Sequence, residues 1–265
     1  FINGKRAQNV FSARSLFYGE GVFETFRYKE RSPVLLDSHL ERMRVGAEFL
    51  KIPFPCEESL IELIQKAVLE SEIQDAYVKV CLLSEGNVTF SQTSVESQVL
   101  VIVKEYIQPE QFIKLKVNSL RRMSDSPLLR VKSTNYLENI LARREALSFG
   151  FDEALFLNEK DQIAECAASN LFWFKDETLF TPSEGCGLLV GTTRNLIVSY
   201  MADSDINILE GNFLLEDLTD ADFVFTTNSL TGCVPVSKIE GDSFDTDHPL
   251  FLRIQNALLK ELKWI

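Results

Sequence analysis

The stretch RVKSTNYLENILA, residues 130–142, places one lysine, Lys132, just ahead of a predicted helix that runs from about Leu137 to Phe149. Apolar residues recur on one side of this helix at helical spacing, namely at Leu137, Ile140, Leu141 and Leu147. A second stretch, IAECAASNLFWF, residues 163–174, carries one carboxylate, Glu165, inside an apolar strand. The predicted fold therefore contains a lysine at the start of a helix and a carboxylate within an apolar strand.

Lys132 and Glu165 together suggest the two ends of a site for pyridoxal phosphate. A lysine amine can hold an aldehyde cofactor as a Schiff base, and it can move protons once a substrate amine has displaced it. A carboxylate opposite the pyridine nitrogen keeps the ring protonated, and a cationic ring would offset the cost of burying that carboxylate. The alternatives are a solvated surface lysine and an edge-strand glutamate that faces water.

Bulk composition favours a globular protein rather than a disordered chain, since 45% of the residues are hydrophobic and 25% are charged. The chain has 265 residues, a formal charge of -12 and a pI near 4.8, which argues against nucleic acid and anionic membranes as partners because both require clustered basic residues. The five separated cysteines predict reduced thiols and a cytoplasmic protein. Neither histidine has metal-ligand spacing, so we expect no metal site, and no apolar run is long enough to span a bilayer. The first residue is not methionine, which leaves open a short leader ahead of it.

The order of predicted elements indicates an α+β protein with two domains. Residues 1–105 form a smaller N-terminal domain, residues 106–112 a linker interrupted by a proline, and residues 113–265 a larger domain that carries Lys132. In the first domain a strand at Val22–Tyr28 precedes two helices, the first of which is predicted to begin with a capping box at Ser38 and Glu41.

Several segments, read in order, resemble class IV aminotransferases, the fold-type IV pyridoxal phosphate enzymes of which D-amino acid aminotransferase is one. The resemblance runs from FING at 1–4 to CVPV at 233–236, nearly the whole chain. Its main segments are SLFYGEGVFETFR (15–27), HLERM (39–43), VKSTNYLENILARREA (131–146), DEALFLNEKDQIAECAASNLF (152–172), GTTR (191–194) and ADFVFTTNSLTGCVPV (221–236). Any one segment is weak evidence, but six in order with sensible spacing argue against chance.

The resemblance implies a role for individual residues. Lys132 matches the family's Schiff-base lysine and Glu165 the partner of the pyridine nitrogen. The residues that match phosphate-binding positions are Arg42, Thr192, Thr193 and Ser229. A guanidinium and a helix N-terminus both suit a phosphate, although Arg42 could be an ordinary solvent-side arginine and the Gly191–Thr193 turn a plain helix cap. Tyr136 lies near the family's tyrosine that faces the phenolic oxygen of the cofactor.

Three features favour the 4-amino-4-deoxychorismate lyases among the members of this family. Thr25 occupies a position that is threonine in those lyases and glycine in branched-chain aminotransferases, and Tyr77-Val78-Lys79 and TTNSLTGCVPV are also lyase-like. Against this, an arginine and glycine often follow that strand in the family, whereas Ser84 and Glu85 stand here. Arg27 and Lys79 are then the alternative sources of charge for substrate binding, although both could be strand-edge residues.

The resemblance therefore implies a pyridoxal phosphate homodimer, with the cofactor in the cleft between two domains. The expected activity is lyase cleavage that releases pyruvate and 4-aminobenzoate for folate synthesis. A branched-chain or D-amino acid aminotransferase is the alternative, because the same residues serve both reactions, and a catalytically silent binding protein of the same fold is a third. The motifs do not choose between them and leave substrate handedness open.

Overall fold

The computed structural model describes residues 13–30, 33–86, 89–202 and 206–265, so the FING segment lies outside the described residues. Contacts divide the chain into two units, with the first comprising Phe1–Glu30, Asp37–Glu105 and Val131–Asn135 and the second Arg31–Leu36, Tyr106–Arg130 and Tyr136–Ile265. The division at 106–112 stays a prediction of domain organisation. The contacts differ from it in two respects, because they group residues 131–135, which contain Lys132, with the first unit and residues 31–36 with the second.

The described part of the first unit is a three-stranded antiparallel sheet with helices. Its elements in chain order are α1 (Ala13–Tyr18), β1 (Gly21–Lys29), α2 (Leu36–Leu50), α3 (Glu57–Ser71), β2 (Asp75–Glu85) and β3 (Glu96–Glu105), and the strand order is β1-β2-β3. One side of the sheet is buried, as alternation predicts: Val22, Glu24 and Phe26 on β1 are 1%, 0% and 1% exposed. The helices contribute buried apolar residues to the same unit, among them Leu40, Met43, Leu60 and Ile64.

The start of α2 differs from the prediction. The helix begins at Leu36, two residues before Ser38, so the predicted capping box was wrong. The N–H of Leu36 donates to the carbonyl of Pro33, which forms the turn that leads into the helix. Glu41 instead accepts hydrogen bonds from Arg44 on the exposed side.

Residues 131–135 are hydrogen bonded to β1, which explains why Lys132 groups with the first unit. The N–H of Phe23 donates to the carbonyl of Lys132 over 2.9 Å, and the N–H of Thr134 donates to Gly21 over 2.8 Å. The Asn135 amide donates to Gly19 over 2.9 Å. Gly19 has φ 64°, and a Cβ there would lie 2.2 Å from Asn135 Oδ1, so this close approach requires glycine.

The described part of the second unit is built on a nine-stranded sheet. The elements in chain order are β4 (Ile113–Arg122), α4 (Leu137–Ser148), β5 (Glu153–Asn158), β6 (Ile163–Cys166), β7 (Asn170–Lys175), β8 (Thr178–Pro182), α5 (Thr192–Ala202), β9 (Asn207–Gly211), β10 (Phe223–Asn228), β11 (Gly232–Ile239), β12 (Asp242–Ser243) and α6 (Pro249–Glu261). The strand order is β6-β5-β4-β11-β10-β7-β8-β9, with β12 on β11. The pairs β4–β5, β4–β11 and β8–β9 are parallel and the others antiparallel.

Large apolar side chains fill both sides of this sheet. Phe172, Phe223 and Phe225 pack with Phe251 of α6 and Ile197 of α5. A second cluster on the sheet contains Leu155, Leu157, Ile163, Trp173 and Val224. None of the helices in the described residues is long and apolar enough to cross a membrane.

Two details of the second unit differ from a simple reading of the sequence. Residues 163–174 form two strands, β6 and β7, because the chain turns at 167–169. In α4 the small residues Ala142 and Ala146 are buried against Ala154 and Phe156. The predicted apolar side of α4 is instead 42–64% exposed at Leu137, Ile140, Leu141 and Leu147.

Candidate active site

In the first unit Lys132 lies against an aromatic ring that a second lysine also contacts. Lys132 Nζ is 4.6 Å and Lys79 Nζ 4.1 Å from the centroid of the Phe23 ring. Phe23 is 6% exposed, so the ring is a fixed surface for both ammonium groups, and such contacts stabilise a cation. Phe23 was not singled out from the sequence, where it lies within the predicted strand at residues 22–28.

Thr25 stands directly opposite Lys79 in the pairing of β1 with β2. Since alternate residues share a strand face, Phe23 and Thr25 lie on one side of β1. Burial raises the pKa of the neighbouring Tyr77, which is also hydrogen bonded to Thr25. The structure thus brings together three of the predicted residues, Lys132, Thr25 and Lys79, around Phe23.

Arg42, the predicted phosphate arginine, is held by a buried carboxylate. Its Nε donates to Glu24 Oε1 over 2.7 Å and its Nη2 to Glu24 Oε2 over 2.6 Å. His39 Nδ1 lies 2.7 Å from the same Oε2. Glu24 is 0% exposed, and although burial raises the pKa of its carboxyl, Arg42 and His39 lower it to about 2. A glutamate between Val22 and Phe26 on a buried strand face was the sequence signal for this cluster.

Arg27, the other predicted source of positive charge, is paired with a carboxylate. Its Nε donates to Asp75 Oδ1 over 2.7 Å and its Nη2 donates to Oδ2. The Arg27 side chain is 11% exposed and the Asp75 side chain 36% exposed. A substrate carboxylate would compete with Asp75 for Arg27, so a substrate role for this arginine stays a prediction.

A cation does lie beside Ser84, where the family often carries an arginine. Arg14 of α1 is 3% exposed and donates from Nε and Nη2 to Glu20. Ser84 donates to Glu20 Oε2 over 2.7 Å. Because Arg14 is paired with Glu20, its charge is already balanced within the first unit.

In the second unit Glu165 lies between a backbone donor and an arginine. The N–H of Leu189 donates to Glu165 Oε2 over 3.1 Å, and Arg122 Nη2 lies 3.5 Å from Oε1. Glu165 is 8% exposed, so it does not face water freely as the edge-strand alternative supposed. Arg122 was not singled out from sequence, where it follows another arginine at a strand end without any distinguishing pattern.

The predicted phosphate turn lies at the start of α5. Thr192 is the first residue of this helix, whose leading N–H groups have no intrahelical acceptor. Thr193 Oγ1 is buried and has no hydrogen-bond partner among the described residues. A Cβ at Gly191 would lie 2.2 Å from Asn170 Oδ1, so a side chain there would displace the Asn170 amide, which donates to the carbonyl of Leu189 over 2.9 Å. The turn presents the donor set that an anion needs.

Tyr136 and Ser229 are also placed in the second unit. Tyr136 precedes α4, and its hydroxyl donates to the carbonyl of Ala167 over 3.2 Å. Ala167 follows Glu165 by two residues, so Tyr136 lies beside the segment that carries the carboxylate. Ser229 is half-buried in the turn between β10 and β11. The roles of both residues stay predictions.

The chemistry of these residues fits pyridoxal phosphate. The first unit offers the amine of Lys132 and the guanidinium of Arg42, and the second offers the anionic group of Glu165 and the buried hydroxyl of Thr193. The unpartnered Thr193 Oγ1 is the strongest single sign of a missing acceptor, because a buried hydroxyl without a partner costs about 1–3 kcal/mol. Among the described residues we find no cluster of histidine, cysteine and acidic side chains suited to a metal.

Comparison with known proteins assigns the family. The model for "Amino-transferase class IV" matches residues 21–239. Aminodeoxychorismate lyase of Bacillus subtilis is 33% identical over 91% of this chain and 86% of its own length. The chain therefore belongs to the class IV aminotransferase family, as the resemblance implied.

Solved structures agree with this assignment. A Legionella pneumophila protein, provisionally described as 4-amino-4-deoxychorismate lyase, superposes with TM-score 0.91 and 28% identity over 98% of this chain and 97% of its own. The T.th. branched-chain amino acid aminotransferase, solved with pyridoxamine 5'-phosphate, gives TM-score 0.86 and 25% identity over 98% of this chain and 91% of its own. These similarities confirm the predicted fold class.

Proposed function

We propose that this protein is a pyridoxal phosphate-dependent 4-amino-4-deoxychorismate lyase. The observation that carries the proposal is the position of Thr25, the lyase-type residue. Thr25 lies on β1, directly opposite Lys79 of β2. On the same strand β1, the Phe23 ring contacts both Lys79 and Lys132. The similarity to aminodeoxychorismate lyases over most of the chain supports it. An aminotransferase carries the same cofactor residues, so the side chains around Phe23 are where the two activities should differ.

In this proposal each residue has a definite task. The bound cofactor supplies an electron sink for the substrate carbon next to the amine. Lys132 Nζ would hold the cofactor through its aldehyde carbon and would move the proton of that substrate carbon. Glu165 would be the acceptor for the ring nitrogen, and Arg42 and Thr193 would hold the phosphate. Lys79 is a cation for a substrate carboxylate.

The lyase reaction balances without a second reactant. Aminodeoxychorismate divides into pyruvate and 4-aminobenzoate, and aromatisation of the ring makes the step favourable. Transamination instead requires a keto acid to accept the amine. The requirement for a keto acid therefore separates the two activities.

The first experiment tests the cofactor. Purified protein with added pyridoxal phosphate should show a visible absorbance band that borohydride removes, and mass spectrometry should then locate the reduced cofactor on Lys132. The variant Lys132→Ala should lack the band, whereas Lys104→Ala, an exposed lysine on β3 of the same unit, should keep it. A silent binding protein would show no band, and a band retained in Lys132→Ala would contradict the proposal.

The second experiment tests the reaction. The protein is given aminodeoxychorismate without a keto acid, and pyruvate and 4-aminobenzoate are measured. A parallel assay gives leucine or D-alanine with 2-oxoglutarate. Products in the first assay alone support the lyase, and activity in the second alone would assign an aminotransferase. Thr25→Gly, which installs the aminotransferase-type residue, should lower the lyase rate more than the affinity for the cofactor.

We further propose that the protein acts as a homodimer in the cytoplasm. The exposed apolar residues of α4, among them Leu137 at 64% and Leu147 at 56%, support an association surface. All five cysteines are free, and four of them are buried, which fits a reducing compartment. Light scattering after gel filtration should give twice the chain mass, and a monomer at micromolar concentration would contradict the dimer.

A further inference from the structure

Thr227 is a buried threonine one residue before the end of β10. It is 1% exposed, and its Oγ1 has no hydrogen-bond partner within the part of the chain that the structure describes. Its neighbour Thr226 is 3% exposed and donates to the carbonyl of Val234 over 3.5 Å. A buried hydroxyl without a partner destabilises a protein, so Thr227 is suited to a ligand rather than to the packing of the sheet.

Thr227 lies on the side of the sheet that α5 covers. Phe225 and Thr227 are two residues apart on β10 and therefore project from the same side. The Phe225 ring stacks on the Phe172 ring with the centroids 5.2 Å apart, and both rings belong to the apolar cluster that contains Ile197 of α5. Since α5 covers this side at Phe225, the Thr227 side chain is directed towards the same helix layer.

The position of Asn170 places Thr227 near the N-terminal end of α5. Thr227 stands directly opposite Asn170 in the pairing of β10 with β7, and the Cβ atoms of such pairs are about 5 Å apart. Asn170 Nδ2 donates to the carbonyl of Leu189 over 2.9 Å, and Asn170 Oδ1 fills the space in which a Cβ of Gly191 would lie. Because Gly191 directly precedes α5, the Asn170 side chain connects Thr227 to the start of this helix.

A second buried hydroxyl of this kind lies at the start of α5. Thr193 and Ile197 are four residues apart on α5, so they project from one side of the helix, and they are 1% and 2% exposed. Since Ile197 belongs to the cluster of Phe225, Thr193 is directed towards the β10 side one turn nearer the N-terminus. Thr193 Oγ1 also lacks a partner in the described ranges. Two unsatisfied hydroxyls from separate elements therefore lie where the first N–H groups of α5 leave the helix.

We infer that Thr227 is an anion-binding residue, whose hydroxyl donates together with that of Thr193 and the first N–H groups of α5 to one phosphate group. All these groups can donate, and the positive end of the helix dipole favours an anion. A phosphate has several acceptor oxygens, so it can accept from all these donors at once. The source of the phosphate rests on the proposed function, in which it belongs to pyridoxal phosphate.

The first experiment titrates inorganic phosphate into the cofactor-free full-length protein and measures the melting temperature, with potassium chloride at the same ionic strength as the reference. A ligand that binds only the folded state raises the melting temperature with its concentration, which gives the affinity. Thr227→Val removes the hydroxyl and Thr227→Ser retains it. The matched control Thr226→Val removes the adjacent hydroxyl, which is bonded to the carbonyl of Val234.

We expect Thr227→Val to weaken the binding of inorganic phosphate about tenfold. Without phosphate its melting temperature should equal or exceed that of wild type, because valine replaces a buried hydroxyl that has no partner. Thr227→Ser should bind phosphate as wild type does. Thr226→Val should melt at a lower temperature than wild type yet keep the wild-type affinity for phosphate. A purely structural role for Thr227 would change the melting temperature but not the affinity.

The second experiment tests whether the phosphate is that of the cofactor. Pyridoxal phosphate and pyridoxal are titrated into wild type and Thr227→Val, and binding is followed by fluorescence. Thr227→Val should weaken the binding of pyridoxal phosphate about tenfold and leave that of pyridoxal unchanged, because pyridoxal has no phosphate.

Three results would overturn the inference. One is a Thr227→Val variant that binds inorganic phosphate and pyridoxal phosphate as tightly as wild type does, which would leave the hydroxyl to water. Another is an equal loss of affinity for pyridoxal phosphate and pyridoxal. If Thr227→Val does not fold, Thr227→Ala is compared with Thr227→Ser, and equal phosphate affinities of these two variants are the third. None of these measurements uses aminodeoxychorismate, so failure here is distinct from failure of the lyase assay.

Discussion

Replacing Glu24 by glutamine should destabilise the protein strongly, because Glu24 joins Arg42 and His39 in one buried cluster. Glutamine has the same shape but no charge, and its NH₂ group would face Arg42 Nη2, a donor that now lies 2.6 Å from Glu24 Oε2. The Glu24 side chain is 0% exposed, and that of Arg42 is 16% exposed. The substitution therefore leaves a largely buried guanidinium without its anion.

The size of the effect follows from the pKa of Glu24. Burial opposes ionisation, yet the charge and hydrogen bonds of Arg42, with His39, lower this pKa from 4.5 to about 2. At ~1.4 kcal/mol per pH unit, this difference corresponds to about 3 kcal/mol of stability. Breaking a buried ion pair typically costs about 3–5 kcal/mol, which agrees in magnitude. We expect Glu24→Gln to lower the free energy of unfolding by about 3 kcal/mol at pH 7.

The pH dependence has a definite sign. A carboxyl whose pKa is lowered by folding stabilises the folded state above its unfolded value of 4.5 and loses this contribution as the pH falls towards 2. The difference between wild type and Glu24→Gln should therefore be constant near neutrality and shrink below pH 4.5. Urea denaturation followed by tryptophan fluorescence and circular dichroism measures both quantities.

The control is Asp75→Asn, which removes the carboxylate that pairs with Arg27 in the same unit. Since the Asp75 side chain is 36% exposed, its loss should cost less than about 1 kcal/mol. A cost below about 1 kcal/mol for Glu24→Gln, or equal costs for the two variants, would refute the argument that burial makes this cluster strong.

Other predictions concern single positions. Burial raises the pKa of Glu153 to about 7, so the free energy of unfolding should fall as the pH rises from 4.5 to 7. Glu153→Gln should therefore raise the free energy of unfolding by roughly 3 kcal/mol at pH 8 and have little effect at pH 4, as measured by urea denaturation. Thr193→Val should leave the free energy of unfolding unchanged or raise it, and should weaken the binding of pyridoxal phosphate about tenfold. The comparison variant Thr181→Val removes the 2.8 Å hydrogen bond from Thr181 to the carbonyl of Leu171 and should lower the free energy of unfolding. Arg42→Lys should weaken the binding of pyridoxal phosphate but not that of pyridoxal, as measured by fluorescence titration, because only pyridoxal phosphate has a phosphate that a planar guanidinium can bind. Equal losses of affinity for both ligands would contradict a phosphate role for Arg42.

Local periodicity predicted most elements of the fold. The strand at residues 22–28 and the helix before Gly150 follow from alternation and helical spacing, and both are present as β1 and α4. Boundaries were less predictable, because the start of α2 depends on the turn at Pro33 rather than on Ser38. The buried side of α4 was also hidden from sequence, since alanines at 142 and 146 give a weak pattern beside four large apolar residues.

The candidate site shows a similar division. Lys132 and Glu165 carry recognisable motifs, so their types and spacing pointed to the chemistry. Arg122 carried no such signal, because its contact with Glu165 arises from a strand end and a hairpin that are 43 positions apart by their numbering. Long-range pairs of this kind depend on sheet order, which a single sequence does not reveal.

Buried polar side chains of this chain differ in whether the described residues satisfy their hydrogen bonds. Glu24 is satisfied within the protein by Arg42 and His39, so its task is complete without any ligand. Thr193 Oγ1 and Thr227 Oγ1 are equally buried but have no partner among the described residues. Thr227 pairs with Asn170, the residue whose side chain fills the space beside Gly191, so both unpartnered hydroxyls belong to the region around the start of α5. Because folding leaves these groups unsatisfied, an anion that satisfies them should bind the folded state selectively, and ligand-linked stabilisation should therefore be greatest for a phosphate-bearing cofactor.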